Sequence, residues 1–155
     1  IPKLKFMISK KAKYALKALE YIAKHNEQGP ILISEISERQ RIPKKFLEVI
    51  LLELKRDGIL QSKMGKNGGY YMLKDPKDVN IGHIIRLIDG PIALLPCVSY
   101  KYYEKCAECE DEATCGLRNL MAQVREANNK ILNKVSLAEI VKRESMLQKG
   151  LTITL

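Results

Sequence analysis

The sequence contains no tryptophan, only two histidines, and no apolar run long enough to cross a membrane. His25 and His83 have no partner at metal-binding spacing, so neither is predicted to be a ligand. The start of the chain also lacks the long apolar core of a signal peptide. These absences argue against membrane-bound and secreted classes and predict a cytoplasmic protein. The 155 residues, 46% of them hydrophobic, can bury one core with a dimerisation appendage, and no second catalytic domain is expected.

The stretch from residue 42 to residue 74 is typical of a helix followed by a β-hairpin. Pro43 can open the helix because its missing N–H would be unpaired in the first turn, and Gly58 suits the left-handed position after its end. Apolar residues recur at helical spacing and are predicted to face the core: Phe46, Leu47, Ile50, Leu51 and Leu54. Strands are predicted over residues 59–63 and 70–74. The loop between them carries the residues expected to adopt positive φ: Gly65, Asn67, Gly68 and Gly69. A basic helix followed by a basic hairpin indicates a winged helix.

A short helix is predicted in front of this unit, with Ser34 as its N-cap and residues 35–39 as its body. The two helices together have the pattern of a helix-turn-helix. Such a pair places the start of its second helix in the DNA major groove, and here that start carries Lys44, Lys45 and Glu48. The alternative is an ordinary surface helical hairpin.

The net positive charge of the chain is confined to its front half. Residues 1–74 contain 16 lysines and arginines against 7 acidic residues, whereas residues 75–155 contain 11 of each. The entire net charge of +9 therefore accompanies the predicted winged helix. A solvated basic surface would explain the net charge but not this segregation, so double-stranded DNA is the favoured partner.

All four cysteines fall within one polar, acidic segment: Cys97, Cys106, Cys109 and Cys115. Disulfides are not expected in the cytosol, and scattered core thiols would not cluster in such a segment. A metal site or a redox switch is therefore indicated. Soft thiolate ligands favour an iron–sulfur cluster or zinc, and the spacing alone does not separate the two.

A long helix is predicted from Gly116 onward. Six of its residues, all apolar except Asn128, are spaced alternately four and three positions apart, which is the pattern of a coiled-coil seam: Leu117, Met121, Val124, Asn128, Ile131 and Val135. A single asparagine in such a seam commonly selects register and pairing state. This pattern predicts a homodimer formed through residues 117–135. The alternative is packing of the helix on its own domain, which the additional apolar residues Leu120 and Leu132 permit.

Three further helices have start signals of their own. Ser9 is predicted to cap a first helix that ends before Gly29, and Asn80 to cap residues 81–89, whose isoleucines face inward. Ser136 is predicted to cap a short helix over residues 137–142, and residues 151–155 to form a weak strand. The fold class is accordingly mainly α, with a small β-hairpin wing and a long dimerisation helix.

The string IPKKFLE, followed by LKRDGILQS and by the wing motif built on Gly65, Gly68, Gly69 and Tyr70, resembles a known family. This is the family of bacterial winged-helix repressors that contains the iron–sulfur regulator IscR, the nitric-oxide sensor NsrR and the cysteine-metabolism regulator CymR. The similarity extends from Ile8 to about Val141. It implies a homodimeric transcription regulator that binds a palindromic operator.

The resemblance also implies particular DNA contacts. Phosphate or groove contacts are expected from residues at the start of the first helix, in the helix-turn-helix and in the wing: Lys10, Lys11, Lys13, Tyr14, Ser34, Lys44, Lys45, Lys63, Lys66, Asn67 and Gly68. Glu48 lies where the family uses a glutamate to contact bases. The wing departs from the family at Met64, since an arginine is common at that position.

The cysteines match the pattern of the cluster-binding members of the family. Cys97, Cys109 and Cys115 correspond to their three thiols, whereas Cys106 is additional and the gap after Cys97 is longer. The resemblance thus implies an iron–sulfur cluster whose state biases DNA docking, with redox, nitric oxide or iron–sulfur status as the signal. Structural zinc without sensing is the alternative. A thiol oxidoreductase using Cys106 and Cys109 is disfavoured because the βαβ setting of such enzymes is missing.

These interpretations divide the chain into four parts. Residues 1–6 precede the family-like sequence and are interpreted as a remnant of an expression vector. Residues 7–91 are predicted to form the DNA-binding domain and residues 92–115 the sensor loop. Residues 116–155 are predicted to form the dimerisation helix and the tail.

Overall fold

The computed structural model describes residues 8–153, so the interpretation of residues 1–6 lies outside the described residues. Six helices and one hairpin follow one another: α1 (Lys10–Lys24), α2 (Ile33–Gln40), α3 (Lys44–Arg56), β1 (Leu60–Lys63), β2 (Gly69–Met72), α4 (Ile81–Asp89), α5 (Gly116–Lys134) and α6 (Leu137–Gln148). Short 3₁₀ turns cover Asn26–Gln28 and Pro96–Val98. None of the helices formed by residues 8–153 has the length and apolar character needed to cross a bilayer. The mainly α fold with a β-hairpin wing is confirmed.

Helix α1 is the central element of the folded domain. Ser9 caps it as predicted, since the Ser9 hydroxyl accepts a hydrogen bond from the Ala12 N–H at 3.0 Å. Its buried side alternates small and large side chains, with Ala15, Ala18 and Leu19 fully buried. This side packs against α2, α3, α4 and α6. The small alanines allow the neighbouring helices to approach α1 closely.

Helix α2 begins two residues earlier than predicted, and its N-cap is Leu32 rather than Ser34. In the described part of the chain no side chain caps this end, and Ser34 is an exposed residue of the first turn, so the predicted cap was wrong. The Leu32 carbonyl accepts the Ile36 N–H at 3.2 Å, and Ile36 is fully buried. Burial of Ile36 against the core selects the start of this helix, and local capping preference does not.

Helix α3 buries Leu47, Ile50, Leu51 and Leu54 completely, as the spacing predicts. Phe46 is an exception, because 52% of its surface is exposed. Its ring lies edge-on to the ring of Tyr14, with the centroids 6.0 Å apart. At about 100° per residue, position 46 is roughly a quarter turn away from the buried face of the helix. The prediction that Phe46 faces the core was therefore wrong.

The wing is an antiparallel hairpin in which Leu60 pairs with Met72 and Lys63 with Gly69. Both strands are shorter than predicted. The loop places Gly65 (φ 106°) and Gly69 (φ 141°) at positive φ, whereas Asn67 and Gly68 do not adopt it, contrary to expectation. Outside the named strands, Ile31 pairs with Tyr70 through two backbone hydrogen bonds of 2.9 and 2.8 Å. The hairpin is thereby fastened to the segment in front of α2.

The remaining helices begin where their capping residues predict. The Asn80 side chain accepts the His83 N–H, and the Ser136 hydroxyl accepts the Glu139 N–H. Helix α6 continues to Gln148, well beyond the predicted end at residue 142, because it packs along α1. Residues 151–153 form no strand, contrary to prediction, and residues 154–155 lie outside the described part of the chain.

Candidate nucleic-acid interface and cysteine loop

The first two turns of α3 present three predicted contact residues to solvent. Lys44, Lys45 and Glu48 are all exposed, and no side chain of the described residues 8–153 caps this helix end. A helix start that lacks a side-chain cap leaves N–H groups available to an anion such as a phosphate. The beginning of α3 therefore combines positive side chains, free backbone donors and one carboxylate.

The wing carries a second exposed basic group. Lys63, Lys66 and Asn67 are exposed around its tip, and Met64 is 94% exposed, so the methionine does not pack on its own domain. Gly68 is buried in the turn, where a Cβ atom would lie 2.4 Å from the Lys63 carbonyl oxygen. Gly68 therefore contributes the shape of the tip and no side-chain contact.

The structure brings the wing and the start of α1 against α3. The Lys55 ammonium donates to the Ser62 hydroxyl at 2.7 Å, which joins the end of α3 to β1. Lys11 forms an ion pair with Glu53 at 2.5 Å, and Tyr14 packs on Phe46. Among the α1 residues expected at DNA, Lys10 and Lys13 are exposed, whereas Lys11 and Tyr14 are half-buried and engaged within the domain.

Asp89 is a residue that the sequence interpretation missed. Its carboxylate accepts the Ser9 N–H at 2.6 Å and also the Ser9 hydroxyl, 80 positions away in sequence. The basic start of α1 is thus held against the end of α4, immediately before the segment that leads to the cysteines. No local pattern signals this pairing, because it depends on the packing of α1 against α4.

The four cysteines occupy different environments. Cys97 is buried in the 3₁₀ turn Pro96–Val98, while Cys106, Cys109 and Cys115 are half-buried. The Cys106 thiol donates to the Glu108 carboxylate at 3.2 Å, which raises its pKa. Cys115 is the N-cap of α5, and its sulfur accepts the Arg118 N–H at 3.4 Å.

Cys109 and Cys115 are neighbours whose thiol pKa values move in opposite directions. The Arg118 backbone N–H lowers the pKa of Cys115, and a hydrogen bond from Cys109 adds to the effect. Burial raises the pKa of Cys109, with the hydrogen bond to Cys115 as the next cause. The thiolate of this pair is therefore favoured on Cys115, at the positive end of α5.

The donor set suits a soft metal, but the folded chain assembles only part of it. Thiolates are the ligands preferred by iron–sulfur clusters and are common zinc ligands. Within residues 8–153, however, no three His, Cys, Asp or Glu side chains are placed to hold one metal ion. A single chain in this arrangement therefore brings together the Cys109–Cys115 pair and does not complete a site.

Aromatic and charged side chains fasten the cysteine segment to α5. The Arg125 guanidinium donates to the Val98 carbonyl and lies 3.9 Å from the centre of the Tyr100 ring. The Tyr100 hydroxyl donates to Glu126 at 2.5 Å. The main anchor of the segment next to Cys97 is thus Arg125, which the sequence interpretation did not single out.

The residues of the predicted α5 seam differ in exposure along the length of the helix. Val135 packs against the core of its own domain, as does Leu132. By contrast, Leu117, Leu120 and Ile131 are each more than half exposed. The exposed apolar line thus runs through Leu117, Leu120 and Ile131, whereas Leu132 and the C-cap residue Val135 belong to the domain.

Comparison with known proteins agrees with this architecture. The family model described as "Rrf2: Iron-dependent Transcriptional regulator" matches residues 8–143. A relative in Rhodobacter capsulatus, the rrf2-like HTH-type transcriptional regulator, is 47% identical over 121 residues, covering 76% of this chain and 81% of that protein. The HTH-type transcriptional regulator IscR of Serratia proteamaculans is 29% identical over 90% of this chain and 82% of its own length.

Solved structures show the same fold. CymR, the global cysteine regulator of B. subtilis, superposes with a TM-score of 0.73 at 26% identity, covering 88% of this chain and 97% of that one. T. potens IscR superposes with a TM-score of 0.70 at 24% identity, covering 89% and 88%. The family and these relatives are transcriptional regulators and not enzymes, which excludes the thiol oxidoreductase. The chain belongs to the Rrf2 family of DNA-binding transcriptional regulators.

Proposed function

We propose that this regulator binds a palindromic operator as a homodimer, with the start of α3 in the major groove and the wing on the adjacent backbone. The observation that carries the proposal is the set of exposed lysines on these two elements: Lys44, Lys45, Lys63 and Lys66. They lie on the half of the chain that holds the entire net positive charge. Each lysine that neutralises a phosphate releases counterions and makes binding depend on salt.

The salt dependence of DNA affinity tests this assignment. Replacing any of the four lysines by alanine removes one phosphate contact per subunit, which should lower the slope of log K against log salt by about 0.9 per contact. Binding to specific and to random DNA should weaken alike. Lys149→Ala removes an exposed charge from the back half of the chain and is the matched control. Unaltered slopes in all four variants would contradict the proposed docking face.

The homodimer is proposed to form through residues 117–135. The exposed apolar side chains Leu117, Leu120 and Ile131 support it, because they lie on one line of a 19-residue helix. Leu120→Glu should convert the dimer to a monomer in analytical ultracentrifugation, since it places a charge in the contact. Gln123→Glu adds the same charge to an exposed position of that helix and should leave the dimer intact. A Leu120→Glu variant that remains dimeric refutes the interface.

We further propose that Cys97, Cys106, Cys109 and Cys115 are the source of ligands for an iron–sulfur cluster, which senses redox, nitric oxide or iron–sulfur status. The lowered pKa of the Cys115 thiol, and its place at the start of the proposed dimer helix, support this assignment. When bound, such a cluster would supply a group whose ligation by thiolates changes in response to oxidants or nitric oxide. Because no three of the thiols in residues 8–153 are placed to hold one metal ion, a complete ligand set requires a rearranged segment or a second subunit.

Anaerobic purification followed by absorption spectroscopy and metal analysis tests the sensor. Iron with sulfide and visible absorption is the expected result, and single Cys→Ser variants then identify the ligands. Zinc in place of iron would identify the alternative, a structural site without sensing. If the anaerobic protein contains neither iron nor zinc, both assignments are refuted, while the proposed DNA binding is unaffected.

A further inference from the structure

The outward face of α3 carries an apolar strip between two cations. Val49 is 52% exposed and Leu52 is 42% exposed, although both belong to a helix with a fully buried apolar face. Successive residues of a helix are turned by about 100° around its axis. On this basis four residues lie within roughly 30° of the direction opposite the buried face: Lys45, Val49, Leu52 and Arg56. The most outward line of this helix is therefore basic at both ends and apolar in its middle.

This pattern restricts what can cover the strip. A single exposed apolar residue needs no explanation, but here two adjoin on the outermost line of the proposed recognition helix. If a second copy of the chain packed on this line around a two-fold axis, the cations Lys45 and Arg56 of one copy would lie against those of the other. A DNA groove instead offers phosphates to the two ends of the line. In the middle it offers the 5-methyl group of thymine, the apolar group on the major-groove edges.

We infer that the Val49 side chain contacts a thymine 5-methyl group and so selects thymine beside the base pair that Glu48 reads. Val49 lies one helical turn after Lys45 and within the first two turns of α3, the part of a recognition helix that reaches base edges. Leu52 lies nearly one turn farther from the helix start and beyond its first two turns, so we expect it to lie next to the DNA backbone and not next to a base edge. This inference rests on the proposed function and adds a specificity-determining residue to it.

Thymine-to-uracil replacement isolates the methyl group from every other feature of the base pair. A duplex is first selected from random DNA by the full-length protein, and each thymine is then replaced singly by deoxyuridine. For wild type, one position in each half-site should weaken binding about fourfold, the equivalent of the ~0.8 kcal/mol expected for one buried methylene. Val49→Ala should abolish this difference, so that thymine and uracil duplexes bind alike at that position. The two changes form a double-mutant cycle.

Leu52→Ala is the matched control, because it shortens another exposed apolar side chain on the same line. It should retain the fourfold thymine preference. Sensitivity to uracil that persists in Val49→Ala, or is lost in Leu52→Ala instead, overturns the assignment. Loss of the dimer in Val49→Ala would identify the strip as a protein contact and also overturn it. Failure to select any duplex would refute the proposed DNA-binding mode itself, and is distinguishable from these outcomes.

Discussion

Replacement of Gly69 by alanine should detach the wing from the body of the domain. A Cβ atom at this position would lie 2.3 Å from the Ile31 carbonyl oxygen and 2.4 Å from its carbonyl carbon. Both atoms are backbone and cannot rotate away. Relief of the clash requires the Ile31–Tyr70 pairing to open, which breaks both of its hydrogen bonds.

The expected loss of stability has two parts. An alanine at the φ of 141° found at Gly69 costs about 1–3 kcal/mol in backbone strain. Loss of two hydrogen bonds costs about 1 kcal/mol each. Gly65 is the matched control, because it lies in the same loop at φ 106°, but among the described residues no atom beyond its chain neighbours lies within 4 Å of an added Cβ. Gly65→Ala should thus cost only the strain, leaving a difference of about 2 kcal/mol between the variants.

Urea denaturation of both variants at one fixed protein concentration measures this difference, since stability depends on concentration if the protein is dimeric. Gly69→Ala should also lose the part of the salt dependence of DNA binding that Lys63 and Lys66 supply. Equal destabilisation by the two substitutions would show that contact with Ile31 does not hold the wing.

Three other substitutions have defined outcomes. Glu48→Ala should remove about 1–3 kcal/mol of preference for cytosine at one operator position, because a carboxylate accepts from the cytosine amino group; a competition assay that shows unchanged preference makes Glu48 a surface charge. Met64→Arg should tighten binding most at operators with A-tract flanks, since position 64 is 94% exposed and an arginine favours a narrow minor groove; uniform tightening would contradict this. Arg125→Ala should expose the segment around Tyr100 to faster proteolysis. Arg125→Lys should not restore protection, because lysine lacks the planar stacking group. Unchanged cleavage would show that Arg125 does not anchor this segment.

Several features of the fold follow from short stretches of sequence. The caps at Ser9, Asn80 and Ser136 join a side chain to an N–H three residues later, so the relevant atoms are close in any helical start. The buried face of α3 follows from apolar spacing, and only Phe46 departs from it. These predictions succeed because the interactions are local.

The predictions that were wrong concern places where contacts between distant residues compete with local preference. Ser34 has good capping chemistry, but burial of Ile36 starts α2 earlier. The cysteines cluster in sequence, yet the fold places Cys97 in a buried turn, and no three of the thiols in residues 8–153 are placed to hold one metal ion. Clustering of the cysteines in the sequence does not specify how their thiols are arranged in three dimensions, because the loop between them has no regular repeat that would determine the distances between the sulfur atoms.

The sequence by itself determined the helix-turn-helix, the presence of a wing, and the basic character of the front half, because periodicity, glycine placement and charge are properties of contiguous residues. Tertiary structure alone decided how those parts are joined. Ile31 fastens the wing, Asp89 holds the start of α1, and Arg125 anchors the cysteine segment. Each of these contacts links residues at least 27 positions apart, so it exists only when helix packing brings the two segments together.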